Sequence, residues 1–132
     1  MRWSELIETV RETGGYDGVA DAERVTRVVL TALGGHVAGD VRADLVRQLP
    51  PEAARLCADR VPAAGPLAAA EFVDSVARRL PGATPATARW DVSSVLTALA
   101  RAVDEELVDR LLGLLPSGYA LLFGRAELVR AA

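Results

Sequence analysis

The pentapeptide VLTAL occurs at residues 29–33 and again at residues 95–99. Shifting the chain against itself by 66 positions, without a gap, aligns residues 5–57 with residues 71–123 and superimposes the two copies. The other identities fall mainly on apolar positions, and they include Val10 with Val76, Val37 with Val103, Leu45 with Leu111, and Leu49-Pro50 with Leu115-Pro116. Identity at apolar positions predicts that the two halves share one packing plan, as a duplicated supersecondary unit would.

Apolar residues within each half recur at spacings of three and four, which is typical of amphipathic helices. The longest stripe of the first half is Val25, Val28, Val29, Ala32, Leu33 and Val37, and the second half repeats it with Ala88, Val92, Val95, Leu96, Leu99 and Val103. Thr84-Pro85 is a typical helix start, with threonine as the N-cap and proline at the first helical position. No stretch alternates convincingly like a strand. The predicted fold class is therefore all-α, a helical bundle built from two pseudo-repeated units of three to four helices.

The segment 58–67 contains two prolines and a glycine, and it separates the halves as a linker or turn. Repeat one then covers about residues 4–57 and repeat two about residues 70–123. A unit of about 60 residues buries little surface and is only marginally stable alone. We therefore expect the two repeats to pack into a single helical domain over residues 1–132.

Composition excludes several classes of function. The chain has 132 residues with 15 basic and 18 acidic side chains, and neither half forms a basic arm, so no nucleic-acid partner is predicted. The N-terminus lacks the apolar stretch of a signal peptide, and no segment approaches the ~20 apolar residues that span a bilayer. With Cys57 as the one cysteine, these features favour a cytoplasmic protein without a membrane partner.

Several short motifs occur in the same order in both halves. They are Glu5-Leu6-Ile7-Glu8 and Glu71-Phe72-Val73-Asp74, the two VLTAL copies, Gln48-Leu49-Pro50, Leu115-Pro116-Ser117-Gly118-Tyr119, and Leu122-Phe123. In this order they resemble the bacterial family called domain of unknown function 2267, over nearly the whole chain. The resemblance implies an all-helical bacterial protein and supplies no catalytic residues. The chain departs from its own pattern at Leu114, which stands where the first half has Gln48.

The residue types that support catalysis or metal binding are scarce. His36 is the one histidine, and its position near a helix C-terminus predicts a capping or surface residue. Cys57 aligns with Phe123, which favours a buried packing thiol. Carboxylates occur close together as Glu5 with Glu8, as Glu71 with Asp74, and as residues 104–106 with Asp109, and we expect them to be solvated. No catalytic residue, metal site or cofactor is predicted, and we expect the protein not to be an enzyme.

Aligned positions that differ between the halves are more informative. The second half gains apolar side chains where Arg24 becomes Trp90, Arg42 becomes Val108, Gln48 becomes Leu114 and Arg55 becomes Leu121. It also gains polar side chains where Val25 becomes Asp91 and Val28 becomes Ser94, which could rotate the buried face of the long helix. The four new apolar residues either pack between the repeats or form an interaction surface.

These observations predict a non-catalytic protein-interaction or oligomerisation module. Its candidate surface is Trp90, Val108, Leu114 and Leu121, and its partner is a second copy of the chain or another protein. The alternative is a helical protein that binds an apolar or amphipathic small molecule between the repeats.

Overall fold

The computed structural model describes residues 1–59 and 65–125, and it contains helices and no strand in these ranges. The helices are α1 (Trp3–Gly14), α2 (Val19–Gly34), α3 (Gly39–Gln48), α4 (Pro51–Ala58), α5 (Ala69–Ala77), α6 (Pro85–Ala102), α7 (Glu105–Leu114) and α8 (Tyr119–Leu122). The predicted all-α class is confirmed. Residues 60–64 of the predicted linker lie outside the described residues. None of the helices above combines the length and the apolarity needed to cross a bilayer.

The helix starts recur along the chain. The first helices of the two halves begin at Trp3 and Ala69, and the long helices begin at Val19 and Pro85, each pair 66 positions apart. The same separation holds for α3 and α7. The last helices differ, because α4 has 8 residues and α8 has 4. The duplication itself stays a prediction, and this spacing of helix starts agrees with it.

Side-chain caps fix where α6 and α7 begin. Thr84 accepts a hydrogen bond from the Thr87 backbone N–H at 3.1 Å, and Pro85 is the first residue of α6, as the sequence predicts. Asp104 accepts from the Leu107 N–H at 2.8 Å and begins α7 in the same way. Each cap satisfies a backbone donor that has no partner inside the helix.

The buried apolar side chains of both halves form one hydrophobic cluster. The first helix of each half packs on the long helix of the other half, α1 on α6 and α5 on α2, and the long helices α2 and α6 also contact each other. Helices α3 and α7 form a further contact between the halves. Every stripe of apolar residues that the sequence shows therefore faces a core built from both halves.

Polar side chains join α3 to α7 at the edge of this core. Arg110 donates to Asp44 at 2.6 Å, and Asp44 also pairs with Arg47. The Gln48 amide donates to the Asp104 carboxylate and accepts from the Asp104 backbone N–H, both at 2.8 Å. The Gln48 amide therefore supports the capped start of α7.

Helices α2 and α4 approach each other closely at Gly34. A Cβ added to this buried residue would overlap the backbone carbonyl of Cys57. We expect Gly34→Ala to lower the free energy of unfolding by about 2 kcal/mol, because the two backbones must separate. Urea denaturation measures the effect.

Gly113 is the matched control, because a Cβ there meets nothing within 4 Å. Gly113→Ala should raise the free energy of unfolding by about 0.5–1 kcal/mol through its better helix propensity. Equal stability of Gly34→Ala and the wild type would contradict the close approach of α2 and α4.

Candidate functional site

The structure separates the four residues of the predicted surface. Trp90, Leu114 and Leu121 are exposed, with 58%, 48% and 50% of their surface accessible, and they lie on α6, α7 and α8 respectively. Val108 is fully buried and belongs to the hydrophobic core, so its inclusion in the surface is wrong. The reason is visible at the aligned Arg42, which also points inward and donates to the Cys57 carbonyl at 2.9 Å. That position serves packing in both halves.

Trp90 is the largest exposed apolar side chain of the three, and its orientation is fixed. Its indole N–H donates to the backbone carbonyl of Gly14, at the end of α1, at 2.9 Å. The carbonyls of the last helical turn receive no hydrogen bond from within the helix, and the indole N–H supplies one of them with a donor. The indole is thus exposed while its single polar atom is bound.

Two further residues of α6 lie at this contact: Asp91 binds the segment that follows α1, and Ser94 bonds within α6. Tyr16 donates its phenol proton to the Asp91 carboxylate at 2.5 Å, and Ser94 donates to the Trp90 carbonyl at 2.8 Å. A Cβ on Gly14 would overlap the Tyr16 ring and lie 2.9 Å from the Ser94 hydroxyl. We call Gly14, Tyr16, Trp90, Asp91 and Ser94 the α1–α6 clasp.

Local backbone geometry at the end of α1 positions Tyr16 in this clasp. Gly15 adopts a left-handed conformation with φ of 67°, which glycine reaches without steric cost. The Tyr16 N–H then returns to the Arg11 carbonyl at 3.0 Å and closes the helix. This turn directs the chain toward α6, where the Tyr16 phenol reaches Asp91.

Partial burial shifts the proton equilibria of the clasp. Burial raises the pKa of Asp91 above its ordinary value of 3.8, and the Tyr16 phenol and the Arg24 guanidinium oppose that shift. Burial, reinforced by the Asp91 charge, raises the pKa of Tyr16. The phenol keeps its proton and donates a hydrogen bond to the carboxylate. Chemically, the pair is a strong hydrogen bond between a loop of the first half and a helix of the second.

The other tryptophan differs from Trp90. The Trp3 indole N–H donates to Glu23 at 3.0 Å, and the Arg27 guanidinium lies 5.3 Å from the ring centre. All three residues belong to the first half, and Trp3 is half-buried. Trp3 therefore stabilises the contact between α1 and α2 and leaves little ring surface exposed.

A cleft of about 290 Å³ lies between α5 and α6. Its lining consists of Ala70, Val73, Asp74, Pro85, Ala86 and Arg89. Val73 is buried at its floor, and the other five side chains are exposed or half-exposed at its walls. Trp90 is not part of this lining; it follows Ala86 by one turn of α6, and its indole is bonded toward α1.

The residues considered for catalysis are distributed over the fold. The ring of His36 packs edge-on against Phe72 with centroids 5.0 Å apart, and its Nδ1 lies 2.7 Å from the Ala32 carbonyl oxygen. Cys57 is fully buried, as predicted, and burial raises the pKa of its thiol to about 12.

Several of the paired carboxylates bind neighbouring groups. Glu8 accepts from Arg11, Asp109 accepts from Arg125 at 2.7 Å, and Asp104 caps α7. Within residues 1–59 and 65–125, no three His, Cys, Asp or Glu side chains form a group that could hold a metal ion.

Sequence reasoning missed Gly14 and Tyr16 as site residues. The signal that existed was the pair of polar substitutions at Asp91 and Ser94 within an apolar stripe. These substitutions do not rotate the buried face of α6. Ser94 stays buried and Asp91 half-buried, and each has a hydrogen-bond partner. The partner Tyr16 lies 75 positions from Asp91 in the chain, and no local pattern connects the two.

The fold and the clasp define an all-helical protein whose two halves share one core. A family model described as "Uncharacterized conserved protein (DUF2267)" matches residues 3–122, and the chain belongs to this family. The resemblance seen in the sequence is thereby confirmed. No curated protein matches the chain.

We expect Tyr16→Phe to lower the free energy of unfolding by about 1.5–3 kcal/mol, because the variant loses a hydrogen bond to a charged group. Urea denaturation at neutral pH measures the loss. The control repeats the substitution in an Asp91→Asn background, where the acceptor is neutral and the loss should be smaller. The same loss in both backgrounds would show that the phenol does not act through the Asp91 charge.

The stability difference between the wild type and Asp91→Asn should depend on pH. Because the pKa of Asp91 is raised in the fold, the unfolded chain loses this proton first as the pH rises through 3.8. The wild type should therefore lose stability relative to Asp91→Asn across that window, until the folded carboxyl ionises too. Urea denaturation of both proteins between about pH 3 and pH 7 measures the difference. A difference independent of pH would contradict the raised pKa.

Proposed function

We propose that this protein is a non-catalytic protein-interaction module whose anchor is the indole ring of Trp90. The observation that carries the proposal is the combination of 58% exposure with a fixed indole N–H. Tryptophan is among the residues that contribute most binding energy at protein interfaces. A ring already held in place loses little conformational entropy when a partner covers it.

The surroundings of Trp90 support the same function. The α5–α6 cleft, whose lining includes Ala86 one turn before Trp90, adds apolar surface on the same helix. Asp74 and Arg89 lie at the border of this surface and supply both signs of charge. An apolar centre with a charged rim is the usual composition of a protein interface. Leu114 and Leu121 are exposed on other helices, and they are secondary in this proposal.

The small-molecule alternative has less support. It requires a cavity between the two halves, but three surface clefts of about 390, 380 and 290 Å³ are each lined by residues of one half. An open cleft also covers little of a ligand's surface, whereas small-molecule sites bury most of it.

The proposal also covers the source, the cellular compartment and the domain organisation of the protein. We infer a bacterial cytoplasmic protein with a single domain of two repeated units over residues 1–132. The equal spacing of the helix starts supports the repeat. The buried thiol of Cys57, without a disulfide partner, agrees with a reducing compartment.

Photo-crosslinking in cells tests the function. Replacing Ala86 by benzoylphenylalanine places a crosslinker on the wall of the cleft, one turn from Trp90. Irradiation should give an adduct heavier than the 13.9 kDa chain, because the partner covers this position. Trp90→Arg should abolish the adduct, and circular dichroism verifies that the variant is folded.

The matched control carries the crosslinker at Ala43, an exposed alanine on α3. It should give no comparable adduct. If no protein is crosslinked from Ala86, or if both positions give the same adducts with or without Trp90, Trp90 is not an interaction anchor.

A further inference from the structure

We propose that Tyr16 and Asp91 are positioning residues for the anchor, because the hydrogen bond between them holds the Gly14 carbonyl where the indole N–H of Trp90 binds it. This inference rests on the proposed function only for the role of Trp90 as an anchor. It names what controls the orientation of that anchor, namely a hydrogen bond that the indole itself does not make.

Two hydrogen bonds cross the contact between the end of α1 and α6, and they start from neighbouring residues. Trp90 donates to the Gly14 carbonyl at 2.9 Å, and the next residue, Asp91, accepts from the Tyr16 phenol at 2.5 Å. Gly14 and Tyr16 are separated by Gly15 alone. The two bonds and the short chain segments between them therefore close a ring, in which a movement at one bond displaces the other.

The acceptor of the indole N–H lies in a segment that has little stiffness of its own. Gly14 and Gly15 have no side chains, and glycine has the widest backbone freedom. On one side this segment is tied to α1, because the Tyr16 backbone N–H returns to the Arg11 carbonyl at 3.0 Å. On the other side the Tyr16 phenol ties it to α6 through Asp91. The phenol bond therefore restrains the Gly14 carbonyl relative to the helix that carries Trp90.

The two bonds differ in strength, which sets the direction of control. The indole N–H and the Gly14 carbonyl are both neutral, and Trp90 is 58% exposed, so water competes for this bond. The Tyr16 phenol donates to a half-buried carboxylate whose charge the Arg24 guanidinium also stabilises. Hydrogen bonds to ionised acceptors are roughly twice as strong as those between neutral groups. The indole bond therefore depends on the phenol bond more than the reverse.

Solvent exchange of the indole N–H tests this proposal on the full-length chain without a partner. The chain has two tryptophans, so a proton–nitrogen correlation NMR spectrum shows two indole signals, and Trp90→Phe identifies the one that belongs to Trp90. Tyr16→Phe should make the Trp90 indole N–H exchange about tenfold faster, the factor that corresponds to losing a hydrogen bond to a charged group. The Trp3 indole N–H, which donates to Glu23, should keep its rate.

Asp91→Asn is the second variant. It keeps an oxygen acceptor but removes the charge, so its effect on the Trp90 signal should be smaller than that of Tyr16→Phe. The double variant should accelerate exchange no further than Tyr16→Phe alone, because both substitutions act on one bond.

Gly34→Ala is the matched control for a loss of stability, since it acts where α2 meets α4 and not at the clasp. Exchange through global unfolding would accelerate both indole signals together in this variant. We expect the ratio of the Trp90 rate to the Trp3 rate to keep its wild-type value in Gly34→Ala and to rise in Tyr16→Phe.

The outcomes separate this proposal from the proposed function. An unchanged ratio in Tyr16→Phe overturns the positioning role, and so does an equal rise of the ratio in Gly34→Ala. If the Ala86 crosslinker nevertheless gives a Trp90-dependent adduct, the interaction function stands and only the positioning by Tyr16 and Asp91 falls. A raised ratio in Tyr16→Phe without any adduct has the opposite meaning, because the indole is then positioned as proposed but is not an interaction anchor.

Discussion

The fold depends on the contact between the end of α1 and the first turns of α6. Hydrophobic burial brings these helices together, but burial has no direction and would tolerate a slide or rotation of one helix on the other. The hydrogen bonds from Trp90 to Gly14 and from Tyr16 to Asp91 remove that freedom. They fix one helix of each half relative to the other, and the shared core is then packed around a defined geometry. The absence of a side chain at Gly14 permits the close approach.

Much of this architecture is predictable because its causes are local. The spacing of apolar residues determines the helices, and Thr84-Pro85 marks the start of α6 as expected. The candidate site was harder to predict from the sequence. Trp90 could be singled out because it replaces an arginine, yet its hydrogen bond to a backbone carbonyl 76 positions away leaves no trace in the sequence. Val108 shows the opposite error, since an apolar gain in a sequence comparison does not say which way the side chain points.

The clasp also connects the stability of the fold to the proposed function. Trp90 takes part in both, because the same indole holds α1 through its N–H and presents its ring to the surface. The bond from Tyr16 holds Asp91, the next residue of α6, and Ser94 donates to the Trp90 backbone carbonyl. An anchor supported in this way is preorganised for a partner, and its affinity depends on residues that never touch the partner.

The ion pair between Asp44 and Arg110 joins two positions that align with each other in the two halves. In two halves related by an axis, aligned positions come into contact only close to that axis, so this contact between α3 and α7 agrees with the predicted repeat. Two identical chains could not make this contact, since an aspartate would face an aspartate or an arginine an arginine. A single covalent chain allows one half to carry the acid and the other the base. Joining the halves thus converts a place of unavoidable like-charge repulsion into an attraction, which is an advantage of one chain over a symmetric pair.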